Sequence, residues 1–355
     1  MDPKRKRINA ADFIEKNSTK LNGDRTKRKP NDDDDSVRES TLERNMFLLL
    51  LAIRCLSAVY NLIWDCDETF NYWEPLHFLL YGNGFQTWEY SPDYSLRSYF
   101  YLFLHALPVW PFIYVEAITK IGAFYLIRFV FAAVTAAIET HLYKSLRSLL
   151  GTKKTFNLAL FYLLFSLTYV GMFQASTGVL PSTFGMHLVT FAYSCLIRKS
   201  YAPAIASIGV ATLVGWPFVA LLGLPVALDM IYATSFSKLL ANLFNFLKYS
   251  LVFGLIITVP LVVVDSYMFG KLVFAPLNIV KYNVFPTNGQ GPDLYGREPF
   301  SYYILNCALN FNLLFPLAIV NALLLAVDYV STGEKGRRTA FQRCSLLSTL
   351  GMLLW

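Results

Sequence analysis

The chain contains 355 residues, of which 55% are hydrophobic, 16% are aromatic and only 15% are charged. A soluble domain carries about 25% charged residues, so this composition excludes a disordered or fibrous protein and argues against a soluble globular enzyme. The formal net charge of +7 alone would suggest a nucleic-acid-binding protein, but the location of the charge decides how it is interpreted. The five cysteines do not indicate a disulfide framework.

Much of the charge lies in residues 1–45, with basic runs at 4–7 and 27–29 and an acidic run at 32–35. A segment with so few core-forming residues is predicted to be disordered. Basic runs can indicate nuclear targeting or nucleic-acid contacts, but a cytosolic tail ahead of a first membrane span is favoured. We therefore expect no nucleic-acid partner.

The remainder, 46–355, contains apolar segments suited to a bilayer, whose hydrocarbon core requires about 20 helical residues. The eight predicted spans are 46–63, 121–142, 155–173, 183–197, 201–215, 217–233, 245–264 and 304–327. A partial ninth span begins near residue 345. Together these segments predict an all-α polytopic membrane protein surrounded by membrane lipid.

The distribution of basic residues supports this count, since lysine and arginine collect in short cytosolic loops. With a cytosolic N-terminus, eight spans place all the later basic clusters on one side; these are Lys144, Arg147, Lys153, Lys154, Arg198, Lys199, Lys238, Lys335, Arg337, Arg338 and Arg343. Merging 201–233 into one span would break the agreement. Two long stretches, 64–120 and 265–303, are then expected on the opposite face.

The first long stretch begins with an acidic, aromatic run in which Asp65, Asp67 and Glu68 follow the first span. A carboxylate near like charges and apolar groups can act as a general base. Asp-x-Asp is also a common metal-binding pattern, and such acids can simply solvate a loop or cap a helix. The aromatic and polar residues at 70–74 are typical of a carbohydrate-binding surface and favour a functional role.

A second part of this stretch, 99–118, is apolar but contains Pro108 and Pro111. Because proline interrupts helices, we expect a helix lying in the membrane interface or a re-entrant hairpin. Between the two parts, Arg97 is the only lysine or arginine from 65 to 98. It could clamp a phosphate through its forked guanidinium, or it could only balance the surrounding acids.

Several of these segments resemble one known family. They are Asp-Cys-Asp-Glu-Thr-Phe-Asn-Tyr-Trp-Glu-Pro at 65–75, Gln-Thr-Trp-Glu-Tyr-Ser-Pro at 86–92, Arg-Ser-Tyr at 97–99, Asn-Ile-Val-Lys-Tyr-Asn at 278–283 and Leu-Tyr-Gly at 294–296. They are similar to the endoplasmic-reticulum alpha-1,2-mannosyltransferases of dolichol-linked oligosaccharide assembly. The resemblance runs from about residue 46 to the end of the sequence.

The resemblance implies a GT-C-type helical bundle in the endoplasmic reticulum membrane, with large luminal loops. It also implies a dolichyl phosphate mannose donor, a dolichol-linked oligosaccharide acceptor, and alpha-1,2 linkages formed with inversion in protein N-glycosylation. A single displacement needs one base. Since the leaving group is already a phosphate anion, neither a divalent metal nor a cofactor is expected.

Carried over residue by residue, the resemblance makes Asp67 the predicted base, with Glu68 and Asp65 as further catalytic candidates. Adjacent helical residues point about 100° apart, so Asp67 and Glu68 are not expected to share one role. The predicted substrate-binding residues are Asn71, Trp73, Glu74, Trp88, Glu89, Tyr90, Arg97, Lys281, Tyr282 and Arg297. Among these, Arg97, Lys281 and Arg297 are the candidates for binding the donor phosphate.

One departure from the family pattern affects the expected activity. The family carries a luminal His-Lys-Glu-x-Arg-Phe-type segment beyond a further span, whereas this sequence stops at Trp355 inside a predicted span. We therefore expect a fragment or a truncated isoform that is impaired or catalytically inactive. Such a form could also act as a non-catalytic partner of the full-length enzyme.

A second function class is a transporter or flippase for a lipid-linked sugar. Ionisable residues within the spans would then mark its path, but few lie there, among them Arg54, Arg128, Glu139 and Asp229. For the two arginines, pairing between helices is favoured over a site.

Overall fold

The computed structural model describes residues 30–150, 161–162, 170–232, 235–286, 294 and 296–332, and all regular elements within these residues are helical. The α-helices are α1 (Pro30–Tyr60), α2 (Cys66–Glu68), α3 (Glu74–Tyr81), α4 (Tyr99–Ala106), α5 (Trp110–Tyr114), α6 (Lys120–Leu150), α7 (Val170–Ala175), α8 (Pro181–Ile197), α9 (Tyr201–Val210), α10 (Leu224–Ile231), α11 (Phe236–Phe269), α12 (Ala275–Val284), α13 (Phe300–Phe311) and α14 (Leu314–Thr332). Two π-helical turns, Thr69–Trp73 and Ala211–Gly215, and two 3-10 helices, Trp88–Tyr90 and Pro217–Gly223, complete the regular structure.

The all-α membrane class is confirmed among the described residues. Helices α6 and α11 are each long and apolar enough to cross a membrane, and they contain the predicted spans 121–142 and 245–264. A third candidate consists of α13 and α14, which are bent by 108° relative to each other at a break within the predicted span 304–327. The count of eight spans remains a prediction.

The break predicted between 201–215 and 217–233 is present at Trp216. Helix α9 continues into the π turn Ala211–Gly215, and the chain restarts at Pro217 as a 3-10 helix that leads into α10. Proline disfavours a helical conformation in the residue before it, and the backbone of Trp216 is accordingly extended. Both segments are apolar but shorter than a complete span.

The charged N-terminal segment differs in part from its prediction. Helix α1 begins at Pro30, so residues 30–45 are helical although disorder was expected for 1–45. Proline is well accommodated in a first helical turn, and acidic residues favour a helix N-terminus. Residues 1–29 lie outside the described residues. The chain divides into two compact units, 1–48 and 49–355, and the site described below belongs to the second.

The apolar part of the first long stretch forms the two short helices α4 and α5, separated at 107–109 as Pro108 predicts. Helix α4 is largely buried against α3 and α11. The core behind the acidic segment includes Leu76, Leu102 and Leu261, each at most 1% exposed. This packed layer supports the residues from 65 to 99.

Candidate active site

The acidic run begins with a helix cap. Asp65 has an extended backbone, and its Oδ1 accepts a hydrogen bond from the backbone N–H of Asp67 at 2.8 Å. This is the usual N-cap interaction of aspartate. Asp65 therefore has a structural task in starting α2, which is the capping alternative foreseen for this run.

Like Asp65, Asp67 is exposed, but its carboxylate does not cap the helix. Its Oδ1 accepts a hydrogen bond from Asn71 Nδ2 at 3.2 Å. Partial burial raises the pKa of Asp67 above its usual range, Arg97 counteracts this shift, and Asp65 and Glu89 add to it. An exposed carboxylate with a raised pKa is suited to accept a proton.

Glu68 has entirely different surroundings, being only 9% exposed. Its Oε1 accepts hydrogen bonds from Trp73 Nε1 and from the backbone N–H of Val179, each at 3.0 Å. Asp67 and Glu68 thus lie in opposite environments, and that they do not share one role stays a prediction. Glu68 contacts the protein interior, whereas Asp67 faces the surface.

Asn71 links Asp67 to the following loop. It lies in the π turn Thr69–Trp73, a type of turn that is frequent at functional sites. Its Oδ1 accepts a hydrogen bond from Thr87 Oγ1 at 2.7 Å, and its backbone oxygen accepts one from the Tyr90 hydroxyl at 2.8 Å. Asn71 and Tyr90 are each 4% exposed, so both hold the site together from beneath.

The side chain of Arg97 is held by a glutamate carboxylate and a tyrosine hydroxyl. Its Nε pairs with Glu89 Oε2, and its Nη1 donates to the Tyr72 hydroxyl at 2.5 Å. The guanidinium also lies 5.4 Å from the centre of the Tyr72 ring. These contacts fit the prediction that Arg97 balances acidic charge, and they fix its position beside Asp67.

The two long stretches meet at a group of aromatic side chains. Trp88 is 42% exposed, and its ring centre lies 4.7 Å from that of Tyr94 and 5.8 Å from that of Tyr282 on α12. A hydrogen bond from Asn278 Nδ2 to the backbone oxygen of Ser95 joins the same two stretches at 3.1 Å. The structure therefore assembles residues of both runs on one surface.

The remaining predicted binding residues are less closely connected to Asp67. The Trp73 ring packs against Phe124 at 4.5 Å, and Glu74 Oε2 accepts a hydrogen bond from the backbone N–H of Phe85 at 3.4 Å. Lys281 on α12 and Arg297 are both exposed. Their proposed contact with phosphate rests on their charge.

A cation could be held at the same acidic run. One ligand atom from each of Asp65, Cys66 and Asp67 lies within 4.8 Å of the others, and all three residues are exposed. Exposed acidic groups are common without an ion, and the sequence resemblance implies transfer without a metal. The geometry alone therefore assigns no ion to this position.

Two residues that shape the site, Asp265 and Val179, were not among the predicted site residues. Asp265 Oδ1 accepts hydrogen bonds from Ser98 Oγ and from the backbone N–H of Phe100, both at 3.0 Å, which fixes the start of α4. Val179 approaches Glu68 from a distant part of the chain. No local pattern in the sequence relates these positions, because their pairing depends on how the helices pack.

Comparison with known proteins identifies the family. Residues 45–355 match the model of the Alg9-like mannosyltransferase family. The chain is 40% identical over 293 residues to alpha-1,2-mannosyltransferase Alg9 of Drosophila melanogaster, which covers 82% of this chain and 45% of that protein. It is 43% identical over 274 residues to alpha-1,2-mannosyltransferase ALG9 of Homo sapiens, covering 77% and 43% respectively.

A more distant relative is alpha-1,2-mannosyltransferase ALG9 of Saccharomyces cerevisiae, which is 33% identical over 297 residues and is matched over 51% of its length. The chain thus spans about half the length of these relatives. No solved structure matches the chain significantly. The match of the family model over the whole of the second unit shows that the chain belongs to the Alg9-like mannosyltransferase family.

Proposed function

We propose that the full-length protein transfers mannose from dolichyl phosphate mannose to a dolichol-linked oligosaccharide, forming alpha-1,2 linkages. Family membership supports the reaction class. The observation that carries the assignment within this chain is the exposed Asp67 carboxylate. It accepts a hydrogen bond from Asn71, which in turn accepts one from Thr87, the residue before Trp88. The proposed enzyme acts in protein N-glycosylation.

The proposed chemistry is a single displacement with inversion. The oxygen of the acceptor 2-hydroxyl attacks the anomeric carbon of the donor mannose, and Asp67 accepts the proton of that hydroxyl. The bond between that carbon and the donor phosphate breaks, and dolichyl phosphate leaves with the bonding electron pair. The beta-linked donor therefore gives an alpha-linked product, and Arg97, Lys281 and Arg297 are candidates to bind the departing phosphate.

The substrate-binding candidates divide by exposure in this proposal. Trp88 presents an exposed ring on which the C–H face of a sugar can pack. Asn71, Glu89 and Tyr90 are held by internal hydrogen bonds, so they support the surface and position their neighbours. Trp73 and Glu74 remain candidates for contacts with the sugar hydroxyls.

The membrane arrangement follows from the same proposal. A GT-C-type bundle of eight spans in the endoplasmic reticulum membrane would place 64–120 and 265–303 in the lumen, where the lipid-linked substrates are available. The contact of Trp88 with Tyr282 supports a common side for the two stretches. The apolar helices α6 and α11 support the membrane location.

The transporter alternative gains little support from the ionisable residues predicted within the spans. Arg54 is paired with Glu139, and Asp229 accepts from Lys199 Nζ at 2.5 Å. Arg128 donates to the Ser57 backbone oxygen at 3.3 Å. Side chains used in this way stabilise contacts between helices and leave little charge to line a path.

The reaction is tested with purified full-length protein, radiolabelled dolichyl phosphate mannose and a lipid-linked acceptor, in the presence of EDTA. We expect label to enter the oligosaccharide and to be released by an alpha-1,2-specific mannosidase. Movement of lipid across a vesicle membrane without a new glycosidic bond would instead identify a transporter. A strict need for a divalent cation would contradict the proposed metal-independent displacement.

A further inference from the structure

A single oxygen of Glu68 joins two separate parts of the chain. Glu68 ends α2, Trp73 ends the π turn, and Val179 lies just before α8. Both hydrogen bonds, from the Trp73 indole and from the Val179 backbone, end on Oε1. The carboxylate therefore closes the turn that follows Asp67 and attaches this turn to the segment before α8.

Gly178 permits the close approach of this segment. A Cβ atom added at Gly178 would lie 3.3 Å from Glu68 Oε2 and 3.3 Å from Thr183 Oγ1. Such distances are tighter than ordinary van der Waals contact, so the carboxylate would have to move. Glycine is thus the residue that lets the backbone pass beside Glu68.

The segment that receives Glu68 is itself firmly held by helices α4 and α6. The hydrogen bonds are Thr135 Oγ1 to the Ser176 backbone oxygen at 2.9 Å, Arg128 Nη2 to Thr177 Oγ1 at 3.3 Å, and the Tyr101 hydroxyl to the Val179 backbone oxygen at 3.1 Å. All of these bonds are buried. Residues 176–179 therefore provide a fixed support, and Glu68 is the link between this support and the acidic run.

We infer that Glu68 is a positioning residue that holds Asp67 in place by clamping the π turn onto 176–179, and that Gly178 is required for the clamp. This inference rests on the proposed function for its effect on catalysis, whereas the clamp is a property of the fold. The inference revises the expectation that Glu68 is a further catalytic candidate. Its burial and its two donors leave Asp67 as the carboxylate of the pair that reaches substrate.

Replacement by glutamine separates positioning from acid–base chemistry. In Glu68→Gln, the amide oxygen can occupy the position of Oε1 and accept both hydrogen bonds, although the side chain no longer binds a proton. In Glu68→Ala both donors lose their acceptor. A positioning role therefore predicts that the glutamine variant is active and the alanine variant is not.

The experiment compares Glu68→Gln, Glu68→Ala and Gly178→Ala in the full-length protein. We expect kcat of Glu68→Gln within about threefold of the wild type, with an unchanged pH profile. A small misplacement of reacting groups costs about 100-fold, so we expect kcat of Glu68→Ala to fall by about that factor and Gly178→Ala to lie in between. KM for both substrates should change little. Gly254→Ala is the matched control, because a Cβ there meets no atom within 4 Å.

Amide hydrogen exchange of residues 66–74 tests the clamp without any reaction. Loss of the clamp should raise exchange by about tenfold in Glu68→Ala and Gly178→Ala, with Glu68→Gln and Gly254→Ala resembling the wild type. Unchanged exchange in Glu68→Ala would overturn the inference, as would a Glu68→Gln variant that keeps wild-type exchange but loses transfer. If the wild-type protein transferred no mannose while Glu68→Ala still showed increased exchange, only the proposed function would be refuted and the clamp would be supported.

Discussion

Asp67→Asn is expected to remove nearly all mannose transfer from the full-length protein while its insertion into the membrane remains normal. The amide cannot accept the proton of the attacking hydroxyl, and general base catalysis contributes about 10²- to 10⁴-fold to a rate. The substitution keeps the size of the side chain and an oxygen for the hydrogen bond from Asn71. The loss should therefore appear in kcat, with little change in KM for the donor.

Asp93→Asn is a matched control, because Asp93 is an exposed acid in the same acidic stretch with no assigned role. Its transfer rate should equal that of the wild type. If Asp67→Asn also transferred mannose at the wild-type rate, Asp67 would not be the base. Loss of transfer in both variants would indicate that overall charge in this stretch matters more than a single carboxylate.

The same assignment sets the direction of the pH dependence. Asp67 acts as a base only when it is ionised, and its partial burial raises its pKa. The value of kcat/KM should therefore fall as the pH drops through this raised pKa, at a higher pH than an ordinary exposed aspartate would give. A profile of kcat/KM against pH in the wild type measures this fall on the acidic side directly.

The largest expected effect on stability is at the buried pair of Arg54 on α1 and Glu139 on α6. Arg54 is fully buried, its Nη2 contacts Glu139 Oε1 at 2.5 Å, and its Nε donates to Oε2 at 3.0 Å. Removing one partner leaves an uncompensated buried charge, which costs about 3–5 kcal/mol. Arg54→Met and Glu139→Leu should therefore each lower the unfolding temperature markedly.

The double variant Arg54→Met/Glu139→Leu is the internal control for this pair. Replacing both charges by apolar groups of similar volume is often neutral, so the double variant should be more stable than either single variant. Thermal unfolding in detergent measures all four proteins. Additive losses in the double variant would show that the two side chains are not coupled.

Local patterns in the sequence predicted some features of the fold well. Hydrophobic length identified the helices around 121–142 and 245–264, and the distribution of basic residues separated 201–215 from 217–233. Helical geometry anticipated that the side chains of Asp67 and Glu68 face different directions, one exposed and one buried. These features depend on residues close together in the chain.

Features that depend on packing between distant residues could not be predicted. The contact of Glu68 with Val179 joins positions 111 residues apart, and the pair of Arg54 and Glu139 joins positions 85 apart. Helix lengths and propensities do not fix the rotation of one helix against another. The sequence accordingly identified a carboxylate cluster but not the interior contact that sets Glu68 apart from Asp67.

The central claim is that Asp67 lies on a luminal surface that binds the lipid-linked donor. The neighbouring thiol of Cys66 is free and exposed, so a membrane-impermeant maleimide can report on this position in sealed microsomes, with Cys66→Ser identifying the specific signal. We predict no labelling of Cys66 from the cytosolic side, labelling once the membrane is permeabilised, and protection of the thiol by dolichyl phosphate mannose. Labelling of Cys66 in intact microsomes would contradict the account, because the site would then face the cytosol.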